Sequence, residues 1–202
     1  SSRLALGAII QNPVTEEHPA EPLNLYGVHK LAAEKYFRIY HDNYGIRTVV
    51  FRIANPYGER QQIKHSKYGV PGWFMRLAME GKPIKIFGKG SQTRDYIHIN
   101  DLVKAFALAG LSPKTDGHLY NCASGKSIKM KEMAEMIIKI VGRGSIEHVP
   151  WPADYGKEET GNSESDISKL KAVIDWEPET SLEEGLTSMI DYYRSHKDKY
   201  AK

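Results

Sequence analysis

The chain has 202 residues, of which 41% are hydrophobic, 26% charged and 10% aromatic, a globular composition that excludes a disordered tail, a collagen-like repeat or a coiled-coil rod. Lys and Arg number 28 against 25 Asp and Glu, a formal net charge of +3, which argues against nucleic-acid binding and suits anionic small molecules. The single cysteine, Cys122, excludes an intramolecular disulfide or a cysteine-rich zinc module and fits a reducing cytoplasm, and no apolar run approaches the roughly 18 to 20 residues of a membrane span.

The chain opens on Ser1 rather than Met, and SSRLALG begins abruptly, so a longer parent is expected. Residues 8–25 carry three prolines among Asn, Glu and His and read as a surface loop. Leu31, Ala32, Tyr36, Ile39 and Tyr40 then recur at three- and four-residue spacing, which predicts a helix from Tyr26 to about Asn43, capped by Asn24 and stopped by Gly45. IRTVVFRI, residues 46–53, is a β-branched run too continuous to have one wet face, as expected of a buried parallel strand. Asn55-Pro56-Tyr57-Gly58 turns the chain toward a polar loop, a helix near 71–81, a strand over Ile84–Phe87 and a Gly-rich turn.

A strand over 94–99, a helix over Asp101–Leu111, a strand at HLYNCA, a helix over Met130–Val141 and a strand at IEHVP follow. Helices near 166–175 and 181–195 complete the order, the last begun by the capping pattern Ser181-Leu182-Glu183-Glu184. Lys126, Lys129 and Lys131 read as a solvated charge run at a helix start. The alternation implies an α/β fold.

Tyr26 and Lys30 stand four apart on the first helix, so phenol and ammonium share one face. A neighbouring cation favours the phenolate and makes a tyrosine usable as an acid or base near neutrality, although the same spacing also describes an ordinary solvated pair. The eight histidines show no H-x-x-x-H pair and no Cys/His cluster; His29 and His98 read as surface or packing residues, and no metal is expected. Neither GKGS at 88–91 nor GRGS at 142–145 has phosphate-loop spacing.

Six segments occur in order: SSRLALG, TEEHPAEP, YGVHK with AAEKY, FRIANPYG, GKPIKIFGKGSQTRDYIHINDL and DISKLKAVIDWEPETSLEEGL. Together they resemble the extended short-chain dehydrogenase/reductase family, specifically its NAD-dependent nucleotide-sugar epimerases and dehydratases. The resemblance implies the carboxyl-terminal part of a Rossmann-type parallel sheet with a smaller mixed α/β substrate lobe. Residues 1–55 would be the remnant of the NAD-binding domain with the catalytic helix, and residues 56–202 the nucleotide-sugar lobe interleaved with the last Rossmann elements.

The resemblance also implies roles. Tyr26 would take the hydroxyl proton of a sugar while NAD removes hydride, Lys30 would support the phenolate and bond the nicotinamide ribose, and Ser2 would share the substrate hydroxyl, with Ser1 as its fallback. Asn55 and Arg94 would touch the nucleotide diphosphate and Phe87 would stack on the base. From the residues alone, Asn55 is also an ordinary turn residue before proline, Arg94 could pair with Asp95, and Phe87 could belong to the core. A homodimer through the Tyr26–Lys30 helix, a cytoplasmic location and no nucleic-acid or membrane partner are further expectations.

Three departures refine these expectations. The G-x-x-G-x-x-G turn that brings a helix N-terminus to the NAD pyrophosphate is nowhere in the sequence, so the 202 residues alone should not hold NAD. Arg3, Leu4 and Ala5 follow Ser2 where dehydratases and decarboxylases of the family carry acids, which favours a redox-neutral epimerase, at C4 of a UDP-sugar, over a 4-keto reductase or a dehydratase. No arginine occurs in Trp151–Glu159, where the family often completes diphosphate binding with R-x-x-D, although Asp154 would be a remnant of that motif. A non-catalytic nucleotide-sugar-binding module is the alternative of another class.

Overall fold

The computed structural model describes residues 1–65, 69–152 and 159–200; Asp154 lies outside them. A 3-10 turn over Arg3–Ala5 leads through the proline-rich loop into α1, Leu25–Tyr44. Asn24 begins α1 by accepting the Gly27 N–H at 2.9 Å, and Gly45 ends it with φ of 65°, a left-handed cap that glycine adopts without strain. Gly27 is required for packing: a Cβ there would come within 2.3 Å of the Leu4 carbonyl oxygen. The absent side chain lets α1 rest directly on the 3-10 turn.

Strand β1, Val49–Ile53, pairs in parallel with β5, His118–Cys122, with Arg52 opposite Asn121. It starts three residues later than the β-branched run, because the Thr48 carbonyl is already taken by the Gly117 N–H at 2.7 Å and the paired strand begins only at His118. Along its other edge β1 has one parallel bridge among the described residues, Ile53 with Ser2. Beside the rest of that edge runs a slot of about 250 Å3 between Ala33 and Phe37 of α1 and Phe106 of α3, Ile99–Leu111.

Asn55–Tyr57 forms a short strand, β2, where the sequence pattern reads as a turn; it lies parallel to β4, Thr93–His98. Pro56 is tolerated because β2 has no neighbour on its far side among the described residues. The other edge of β4 pairs antiparallel with β6, Ser127–Lys129. The lysine run is therefore a strand as well as a solvated surface: its backbone completes a three-stranded sheet while Lys129 reaches Glu132 at 2.8 Å. A third sheet pairs β3, Pro83–Phe87, in parallel with β7, Ser145–Val149.

Helices α2 (Val70–Met79), α4 (Met130–Val141) and α6 (Leu182–Ser195) pack with β3 around one core built on Phe74, Met75, Ile84, Ile137 and Met189. A second core joins β1, β4, β5 and α3 through Phe51, Ile97, Tyr120 and Leu102, with Leu170 packed against them. Burying these side chains supplies the main stabilisation, about 1.5 to 3 kcal/mol for each large one. The helix expected over 166–175 shortens to α5, Ser168–Lys171. Leu170 and Ile174 are still buried as a helical face would bury them, but the chain then turns so that the Trp176 indole donates to the Asp101 carbonyl at 3.0 Å. A last turn, α7, spans Lys197–Tyr200, and no described helix is long and apolar enough to cross a membrane.

Candidate active site

Tyr26 lies in the first turn of α1, 52% exposed, and the Lys30 Nζ stands 5.3 Å from the centre of its ring. Helical spacing has put the cation against the phenol. Because Gly27 seats α1 on the Leu4 carbonyl, this pair is fixed next to the turn that carries Ser2. Ser2 is buried, accepts the Leu4 N–H at 3.3 Å and holds its bridge to Ile53.

Ser1 faces elsewhere. Its hydroxyl donates to Glu34 Oε1 at 2.7 Å, as alternation along an extended segment requires. Glu34, itself buried in α1, also receives Arg52 Nε and Nη2 of β1, each at 3.0 Å, while Arg52 Nη1 donates to the Glu16 carbonyl. This bidentate pair, 7% and 5% exposed, locks the helix to the sheet and to the proline-rich loop. Its partners are 18 residues apart, a distance at which no local pattern announces the pairing.

Arg3 joins this region to the next. Its Nε donates to Asn55 Oδ1 at 3.4 Å and its Nη1 to Thr160 Oγ1 at 2.9 Å. Asn55 in turn donates through Nδ2 to the Asp95 carbonyl at 2.6 Å, so this asparagine staples β2 to β4 rather than sitting in a free turn. Residue types that cannot act as acids after Ser2 thus include one that organises the site.

Arg94 does not pair with Asp95, because neighbours on a strand point to opposite faces. Its Nη1 donates to the carbonyls of Thr93 and Gly161 at 2.9 and 2.8 Å, and its Nη2 meets the Glu159 carboxylate in a very short contact. Asp95 turns the other way into a fully buried cage, accepting from the Ser124 N–H and hydroxyl, the Gly125 N–H and the Ser165 N–H. Burial pushes its carboxyl up to about 6, although those donors favour the charged form. Burial likewise pushes the nearby Cys122 thiol up to about 12, leaving it inert at neutral pH.

Phe87 is partly buried and lies outside both cores. Its ring packs against Trp151, with centroids 5.4 Å apart and planes at 34°. Together with Val70, Trp73, Met130 and Glu159 these rings line a cleft of about 370 Å3. Glu159 thus belongs both to the cleft and to the Arg94 pair. His98 is buried edge-on against Tyr57 at 5.4 Å, a packing role, and His29 is exposed.

Lys30 thus stands against Tyr26 on a helix that rests on the turn begun by Ser2, Arg94 and Phe87 are each neighbours of Glu159, and Arg3 bonds both Asn55 and Thr160. An amphiphilic ligand with a flat ring and paired anionic groups fits Phe87 and Arg94, and proton transfer to or from a hydroxyl fits Tyr26 with Lys30.

Residues 1–123 match the model of the NAD dependent epimerase/dehydratase family. The chain is 31% identical over 186 residues to a UDP-glucose 4-epimerase of Mycolicibacterium smegmatis, covering 91% of this chain and 57% of that protein. Among solved structures, the UDP-glucose 4-epimerase of Thermotoga maritima with UDP-glucose superposes with a TM-score of 0.86 at 29% identity, over 98% of this chain and 62% of that one. The UDP-glucuronic acid 4-epimerase of Bacillus cereus, in complex with UDP-glucuronic acid and NAD, gives 0.85 at 28% identity, over 97% and 60%. The chain spans a little over half the length of the relatives it matches, and with their Rossmann-type fold it belongs to the NAD dependent epimerase/dehydratase family.

Proposed function

We propose that this chain is the carboxyl-terminal part of an NAD-dependent nucleotide-sugar epimerase acting at C4 of a UDP-sugar. The observation that carries this reading is the Lys30 ammonium 5.3 Å from the Tyr26 ring, on a helix seated against the Ser2 turn. Tyr26 accepts the proton of the sugar hydroxyl, Ser2 shares that hydroxyl, and Lys30 stabilises the phenolate that the transfer needs. Residues 1–55 supply this proton relay and, through Asn55, one contact toward the diphosphate, and residues 56–202 hold the rest of the nucleotide, with Phe87 against the base and Arg94 toward the diphosphate.

The residues present fit the nicotinamide end of the cofactor, since Tyr26 and Lys30 are accessible at the start of α1; a Gly-rich turn for its pyrophosphate is not among the 202 residues. NAD, when bound, supplies removal and return of hydride. Arg3, Leu4 and Ala5 offer no acid beside Ser2, which supports epimerisation over dehydration; a 4-keto-sugar reductase, needing no extra acid either, is the second reading.

Calorimetric titration of the 202 residues tests the division of labour. UDP should bind weakly and with salt sensitivity, and binding should be lost in Arg94→Ala, since a charged hydrogen-bonded contact contributes roughly 1.5 to 3 kcal/mol. NAD should show no saturable binding. Tight NAD binding, or UDP binding indifferent to Arg94, overturns the assignment.

Helix α1 also turns Tyr36, Phe37, Ile39 and Tyr40 outward, each about half exposed or more. A contiguous apolar face of this kind marks an interface, and it supports a homodimer built on α1. Light scattering should give twice the monomer mass at micromolar concentration; a monomer counts against the dimer.

A further inference from the structure

Arg94 has five N–H donors, and three are engaged: both on Nη1, by the Thr93 and Gly161 carbonyls, and one on Nη2, by Glu159. Nε has no partner among the described residues. A bidentate anion needs two parallel donors, and with Nη1 committed to backbone the edge left is Nε with Nη2. Glu159 already holds Nη2.

The carboxylate is well anchored there. Its Oε1 also accepts the Gly161 N–H at 3.0 Å, and its side chain is 22% exposed against 10% for Arg94. Glu159 faces the same cleft as Phe87 and Trp151, where Lys85 is the other charged lining residue among the described residues. A diphosphate arriving at Arg94 therefore meets a fixed negative charge on the group it must bind, in a partly desolvated place where like charges repel more strongly than in water.

We infer that Glu159 is an affinity-setting competitor for the ligand diphosphate: it occupies the guanidinium edge that the diphosphate takes, and binding proceeds by exchange of one anion for the other. This rests on the diphosphate reading of Arg94. Glu159 thereby selects against ligands whose anionic part is too weak to displace it, such as a nucleoside without phosphates seated only in the aromatic cleft.

Titration of the 202-residue chain and its Glu159→Gln variant with UDP and with uridine tests this. The amide keeps an acceptor for Arg94 and Gly161 but removes the charge, so UDP should bind about tenfold tighter or more, with uridine affinity unchanged. Glu159→Ala should shift UDP in the same direction, and thermal unfolding of both variants verifies that they fold. Equal or weaker UDP binding in both folded variants overturns the inference and makes Glu159 a support for Arg94 instead. An equal gain for uridine overturns it too, since that gain owes nothing to the phosphates. If wild-type UDP binding survives Arg94→Ala, the diphosphate reading itself falls, an outcome distinct from a failure confined to Glu159.

Discussion

In the full-length enzyme, Tyr26→Phe should lower turnover by on the order of 10²-fold or more while nucleotide-sugar affinity stays nearly constant. The substitution removes one oxygen and nothing else. The ring remains to pack under the Lys30 Nζ, 5.3 Å from its centre, and at 52% exposure it contributes little to the core. Asn24 still caps the helix through Gly27. What disappears is the proposed proton acceptor, a group whose bond to the hydroxyl would strengthen as the proton moves, so the loss should fall on kcat rather than on KM. Steady-state kinetics decide it: a variant with near-parental turnover removes Tyr26 from the role of base.

Glu34→Ala should destabilise the chain by about 3 to 5 kcal/mol, the range for breaking a buried ion pair from one side. Arg52, 7% exposed, would keep only its Nη1 bond to the Glu16 carbonyl, leaving Nε and Nη2 charged and unpaired where water cannot reach them. The Ser1 hydroxyl would lose its acceptor as well. Replacing both partners by apolar residues, as in Glu34→Leu with Arg52→Met, should recover much of the loss, because the cost lies in the stranded charge rather than in the absent attraction. Urea unfolding of the three proteins measures this, and a single-variant loss below about 1 kcal/mol would class the pair with surface salt bridges.

Elements with strong local signals were legible: α1 lies between Asn24 and Gly45 as its cap residues imply, and Ser181 with Glu184 opens α6 as the capping pattern states. Strands β2 and β6 were hidden because three-residue strands carry too few positions for alternation, and a proline or a lysine run reads first as turn or surface. The site divides in the same way. Tyr26 with Lys30 is a spacing, visible in one helix; Arg94 with Glu159 joins residues 65 apart, and only folding reveals it. That Arg94 would not reach Asp95 was readable from the two-residue period of a strand.

The buried pair of Glu34 and Arg52 has a mechanical consequence for the proposed relay. Tyr26, Lys30 and Glu34 follow one another at four-residue steps along α1, so they share one face of the helix, and Glu34 is bolted to β1 one turn beyond the ammonium. The bolt fixes the roll of the helix over the sheet at a point close to both groups of the proposed acid–base pair. Loosening it would swing phenol and ammonium together, changing their aim without separating them.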